Sequence, residues 1–272
     1  MSSNISISAA QLSRLVGLPD APVIIDVRIP EDVAADPRLL PAADKRSHGD
    51  VAAWAGAYAG RRVVVVCQRG LKLSEGVAAW LRHHDVAAEN LAGGFEAWRD
   101  AGGTLVRSDA LPPRDASGRS VWVTRTRPKV DRIACPWLIR RFVDREAVFL
   151  FVSPSEVAAV AERFDATPFD IDGVFWSHRG ERCTFDIMIE EFGLAGPALD
   201  RLAAIVRAAD TATLENVPQA SGLLAASLGL SRMFRDDLAQ LEAGMLLYDA
   251  FYRWCRDASE ETHNWPAGPA TS

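Results

Sequence analysis

The chain has 272 residues, 49% of them hydrophobic, enough for one large or two compact cores, so wholesale disorder is excluded. A net charge of −6 provides no global basic field, which argues against non-specific nucleic-acid binding. The start lacks a basic segment followed by a continuous apolar run. No later stretch approaches the roughly 20 apolar residues that span a bilayer, so a cytoplasmic protein without a membrane partner is expected.

In chain order, Ser8 to Val16 has a capping serine followed by Leu12, Leu15 and Val16, the spacing of a short amphipathic helix. Pro22 to Arg28 is a β-branched run ending in charges, as a buried parallel strand ends at its functional edge. Val63 to Val66 forms a second such run and leads directly into Cys67. A helical pattern from Ser74 to His83 follows, with Val77, Ala78, Trp80 and Leu81 on one face. A strand near Ala88 to Leu91 then runs into Gly93-Gly94-Phe95, and Glu96 to Asp100 reads as a closing helix. Residues 1–107 thus read as a small α/β domain. Residues 108–120, rich in Pro, Ser and charge, read as a linker.

Residues 121–260 read as a mainly helical α+β domain, with 261–272 a flexible tail. Strands are expected at Val121–Val123 and Val148–Val152. Helices are expected at Ile133–Glu146, Ser155–Phe164, Phe185–Phe192, Pro197–Ala209 and Ser231–Asp257.

Cysteine usage narrows the chemistry. Cys67, Cys135, Cys183 and Cys255 lie far apart with no CxxC pair, against both a disulfide framework and a thiolate zinc knuckle. Any thiol chemistry therefore belongs to single cysteines. Cys67 sits between strand and helix, where turn amides converge and the helix N-terminus favours a thiolate or a persulfide anion. Gln68, Arg69, Gly70, Leu71 and Lys72 would form its binding loop, two of them cations. The alternative is one more packed thiol at a strand end.

In the second domain, Arg125, Arg127, Lys129 and Arg132 precede an amphipathic helix and are a candidate oxyanion site; the alternative is a solvated basic cap. His178, Cys183 and Asp186 fall within nine residues, preceded by Asp170 and Asp172. They are candidate ligands for a metal ion, although their spacing matches no standard zinc signature. Cys135 reads as a packed small residue.

Three ordered motifs, Asp26-Val27-Arg28, Cys67-Gln68-Arg69-Gly70 and Leu91 to Trp98, resemble the rhodanese family over about residues 5–107. The resemblance implies a parallel sheet flanked by helices and a sulfurtransferase needing no cofactor. Cys67 would take sulfane sulfur from a small anionic donor such as thiosulfate and pass it to a thiol or cyanide acceptor. Asp26 and Arg28 would support the loop. Many rhodaneses carry serine six residues after the cysteine; Ser74 is seven residues on, so a longer loop is expected. Related cysteine phosphatases need arginine at the sixth position, which is Leu73, and phosphoryl transfer is therefore disfavoured.

Beyond residue 120, the run Arg127 to Phe142, Phe169-Asp-Ile-Asp-Gly, Ser177-His-Arg-Gly, Cys183-Thr-Phe-Asp186 and Ala209-Asp-Thr211 resemble the C-terminal domain of the ChrB-type chromate-resistance family. That resemblance implies a part in the bacterial response to chromate. A rival expectation is an oxyanion- or metal-responsive module in which the first domain only senses oxidation. The sequence assigns no oligomeric state.

Overall fold

A computed structural model of the protein describes residues 5–261. In the first unit, β1 (Ser6–Ile7), β2 (Val23–Asp26), β3 (Asp44–Lys45), β4 (Arg62–Val66) and β5 (Ala87–Leu91) form one sheet in the order β1-β5-β4-β2-β3. Every pairing is parallel. β2 is buried along its whole length, as is β4 after Arg62, because helices or the second unit cover both faces. The connecting helices are α1 (Ala9–Ser13), α2 (Pro30–Ala35), α3 (Val51–Trp54), α4 (Lys72–His83) and α5 (Gly94–Asp100).

In the second unit, β6 (Val121–Arg125), β7 (Val148–Val152) and β8 (Thr167–Pro168) make a small parallel sheet ordered β7-β6-β8. Around it pack α6 (Asp131–Leu138), α7 (Val157–Phe164), α8 (Thr184–Phe192), α9 (Pro197–Asp210), α10 (Pro218–Met233) and α11 (Asp237–Arg253). The chain is thus a parallel α/β unit followed by a helix-rich α+β unit. Among the described residues, no helix is long and apolar enough to cross a membrane.

The alternation of β2 and β4 divides the first core. Ile24, Val64 and Val66 point to one side and join a cluster that continues into Trp122, Trp137, Phe142 and Tyr252 of the second unit. Ile25, Val63, Val65 and Cys67 point to the other side, onto Val77, Ala78 and Leu81 of α4. The two units therefore share one apolar core, and Cys67 faces away from it. Polar contacts reinforce the join: Ala42 N–H donates to Phe142 O at 2.7 Å, and the Arg145 guanidinium donates to the Ala21 and Pro22 carbonyls. The segment 108–120 is docked as well, since Leu111 packs on the shared core and Arg114 pairs with Asp144.

Several elements differ from expectation for local reasons. The helix expected over 231–257 is two: Ser231 lies in α10, Phe234 is extended, and the Asp236 carboxylate accepts from Ala239 N–H at 2.7 Å to start α11. The helix expected from Ile133 to Glu146 ends earlier, as α6 widens into a π-turn over Ile139–Val143. α10 had no sequence signal because its apolar residues do not concentrate on one face; it buries only Ala220, Leu223, Ser227 and Ser231. Of the tail expected over 261–272, residues 262–272 lie outside the described residues.

Candidate functional site

Two clusters carry chemistry, each at the C-terminal edge of a parallel sheet, where strand ends and following loops leave room for ligands. The first is the Cys67 loop. Cys67 follows β4 directly and is 5% exposed, while Arg69, Leu71 and Lys72 on the same loop are exposed. Among the described residues, no acceptor takes the amide N–H groups of Gln68 through Leu73. A loop of unpaired amides leading into a twelve-residue helix is a cradle for an anion.

The cradle is held by glycines. Gly70 has φ 68°, and a Cβ there would overlap the Leu91 carbonyl and the Gly94 amide. Phe95 N–H donates to Cys67 O at 2.9 Å and Glu96 N–H to Gln68 O at 3.1 Å, so the start of α5 clamps the loop. Asp26 and Arg28 form a fully buried ion pair at 2.7 Å. Arg28 also donates to the Asp36 and Arg38 carbonyls and stacks 3.8 Å over the Phe95 ring. The pair thus acts on Cys67 through Phe95, and removing one partner would leave a buried charge costing about 3–5 kcal/mol.

Lys72 begins α4 and Ser74 falls in its first turn, so part of the longer spacing from Cys67 to Ser74 is helical. Its Oγ lies 3.1 Å from Cys67 Sγ and donates to Leu71 O at 3.2 Å. The hydroxyl has one proton, which can turn from that carbonyl to a thiolate or persulfide sulfur. Sequence spacing put Ser74 one position too late, whereas the helical turn restores the contact. The other three cysteines are held as thiols: burial pushes Cys135 and Cys183 up strongly, and Cys255 up to about 11.

The second cluster gathers Asp131, Asp170, His178 and Asp210. Asp131 opens α6, Asp170 follows β8, His178 lies before α8, and Asp210 ends α9. His178 Nε2 stands 3.2 Å from Asp210 Oδ2, 3.4 Å from Asp170 Oδ1 and 3.5 Å from Asp131 Oδ2. Hydrogen bonds from the imidazole to Asp131 and Asp170 raise the His178 pKa to about 10. Burial, with the charges of Asp131 and Asp170, pushes Asp210 up to about 7. Burial also raises Asp131. For Asp170, burial acts upward but is outweighed by hydrogen bonds from His178 and Thr184 and by the charges of Arg132 and Arg125, so it is lowered.

Backbone strain places these groups. Val130, just before Asp131, has φ 38°, and Asp170 has φ 51°. Val130 is fixed by Ser227 Oγ, which accepts its N–H at 3.0 Å, and by Tyr248 OH, which donates to its carbonyl at 2.8 Å. Such a conformation costs about 1–3 kcal/mol and persists only where the surroundings enforce it.

The residues singled out in sequence divide here. Arg125, Lys129 and Arg132 line a cleft of about 520 Å³ with Asp170, His178 and Asp210. Arg127 turns away to Asp237 and the carbonyls of Ser231 and Phe234. Asp186 is not brought to His178; it accepts from Cys183 N–H and pairs with Arg207 at 2.6 Å. Cys183 is buried behind Asp131. Asp131 and Asp210 were missed as site residues because each lies more than 30 positions from His178, although both fall within the ChrB-type motifs, Arg127 to Phe142 and Ala209-Asp-Thr211.

Comparison with known proteins finds similar chains for each unit. Residues 122–255 match the family described as ChrB, C-terminal domain. The chain is 35% identical over 151 residues to Protein ChrB of Cupriavidus metallidurans, covering 55% of this chain and 44% of that protein, less than half the relative's length. Among solved structures, a rhodanese-like domain protein from Staphylococcus aureus is 27% identical, covering 34% of this chain and 89% of that one, with TM-score 0.30. A rhodanese-related protein from Thermoplasma volcanium is 20% identical, covering 37% and 96%, with TM-score 0.33. A protein of unknown function, possible tyrosine phosphatase, from Rhodopseudomonas palustris is 25% identical, covering 38% and 84%, with TM-score 0.32. The second unit is thus similar to the ChrB C-terminal domain.

Proposed function

We propose that the first unit is a cytoplasmic sulfurtransferase that carries sulfane sulfur on Cys67, working within a chromate response. The Cys67 thiolate attacks the outer sulfur of a thiosulfate-type donor; the S–S bond breaks and sulfite leaves with the electron pair. A cyanide ion or thiolate then attacks the terminal sulfur of the persulfide, takes it, and restores the Cys67 thiolate. The free amides of Gln68 to Leu73 hold the donor's oxygens, Arg69 and Lys72 draw in anions, and Ser74 donates to the sulfur. The observation that carries this reading is Cys67 Sγ set beside Ser74 Oγ in a loop of unpaired amides. Four free cysteines, none in a disulfide, fit a reducing compartment. The link to chromate rests on the ChrB-type motifs of the second unit.

The test is thiosulfate:cyanide turnover of the intact protein and of Cys67→Ala, with mass spectrometry of the donor-treated protein. Turnover lost with Cys67, and one added sulfur on the Cys67 peptide, support the reading. Neither turnover nor adduct in folded protein overturns it. A second reading, an oxyanion-responsive module, is favoured by the Arg125, Lys129 and Arg132 cleft. It predicts chromate or sulfate binding that survives Cys67→Ala.

A further inference from the structure

The arrangement around His178 asks for a ligand. Asp131 is 1% exposed and buried beside two more carboxylates, yet its Oδ1 has no hydrogen-bond partner among the described residues. A buried carboxylate oxygen left bare costs several kcal/mol unless something cationic or protic sits on it. Its other oxygen accepts from Thr184 N–H at 2.6 Å, and Thr184 Oγ1 donates to Asp170 Oδ1 at 2.9 Å. Both carboxylates are thus oriented by one residue at the start of α8. Arg132 and Arg125 hold the far oxygen of Asp170 at 3.3 and 3.4 Å, leaving Oδ1 turned to the imidazole.

We infer that Asp131, Asp170 and His178 form a binding site for one divalent transition-metal ion, with Asp210 beside it. The spacing fits: the donor atoms of Asp131, Asp170 and His178 lie within 4.8 Å of one another, close enough to share an ion that each meets at about 2.0–2.2 Å. Asp210 Oδ2, Asp170 Oδ1 and Asp131 Oδ2 lie 3.2, 3.4 and 3.5 Å from His178 Nε2, and the bare Oδ1 belongs to the same Asp131 carboxylate. One nitrogen with carboxylate oxygens suits zinc or manganese over soft, thiolate-seeking ions. Thr184, Arg125 and Arg132 orient ligand carboxylates, as outer groups do in metal sites. His178 is 40% exposed on its side chain and borders the 520 Å³ cleft, so the ion has an entry path and room for a water or anion beside it. This site differs from the grouping of His178 with Cys183 and Asp186 and is independent of Cys67.

The experiment strips the full-length protein with chelator and adds Zn²⁺ or Mn²⁺ singly, in a Cys67→Ala background so that the loop thiol captures nothing. One ion per chain is expected, with at least tenfold weaker binding in His178→Gln and in Asp131→Asn, and unchanged binding in Cys183→Ala. X-ray absorption of the zinc form should show nitrogen and oxygen neighbours and no sulfur, a readout that stands if a variant fails to fold. No binding, binding indifferent to His178→Gln, or a sulfur neighbour overturns the inference.

Discussion

The Cys67 loop and the His178 cluster both lie at the C-terminal edge of a parallel sheet but are built from different parts. Around Cys67 the backbone does the work: unpaired amides, Gly70 at positive φ, and a clamp from the start of α5. Around His178 side chains do it, with three carboxylates drawn from separate places in the chain onto one imidazole and two guanidiniums behind Asp170. A site made of one loop is continuous in sequence. A site made of side chains converging from distant positions exists only once the fold has closed. The shared apolar core sets Cys67 on the far sheet face, so the two sites are mechanically joined and chemically separate.

The largest expected effect tests the mechanical joining. Phe142 packs on Trp137 and Tyr252 and lies under Gly17 of the first unit. Phe142→Ala should cost about 3–5 kcal/mol. Urea unfolding should still show a single transition by Cys67 reactivity and by tryptophan fluorescence; two separated transitions would mean that the units are only tethered.

Ser74→Ala comes next and tests whether the backbone alone suffices at Cys67. Losing a hydroxyl that donates to a charged sulfur should lower sulfurtransferase turnover about tenfold. Circular dichroism should be unchanged, and Ser74→Thr should recover part of the rate. Unaltered turnover would leave catalysis to the amides.

The last test varies pH, and it reads the side-chain site. His178 is raised to about 10 from 6.5 and Asp210 to about 7 from 3.8, so the folded state binds more protons than the unfolded one in both windows. Stability with chelator present should therefore fall as pH rises from 5 through 7 and again towards 10. Thermal melts across that range should show the decline, and His178→Gln should flatten its upper part. A profile that rises with pH would show that the carboxylates do not hold the imidazole charged.

The sequence by itself determined the strand-cysteine-loop-helix order, since β-branched runs, Gly70 and the apolar face of α4 are all local signals. It likewise marked Arg125, Lys129, Arg132 and His178 as chemically notable. Only the tertiary structure decided that Ser74 meets Cys67, that Arg127 and Asp186 turn to other partners, and that Asp131 and Asp210 join His178. Those outcomes depend on helical phase and on elements packed from positions 131 to 210, which no spacing in a linear chain records. The same holds for the shared core: each apolar residue was visible, but which face of β4 meets the second unit was fixed by the packing of the two sheets.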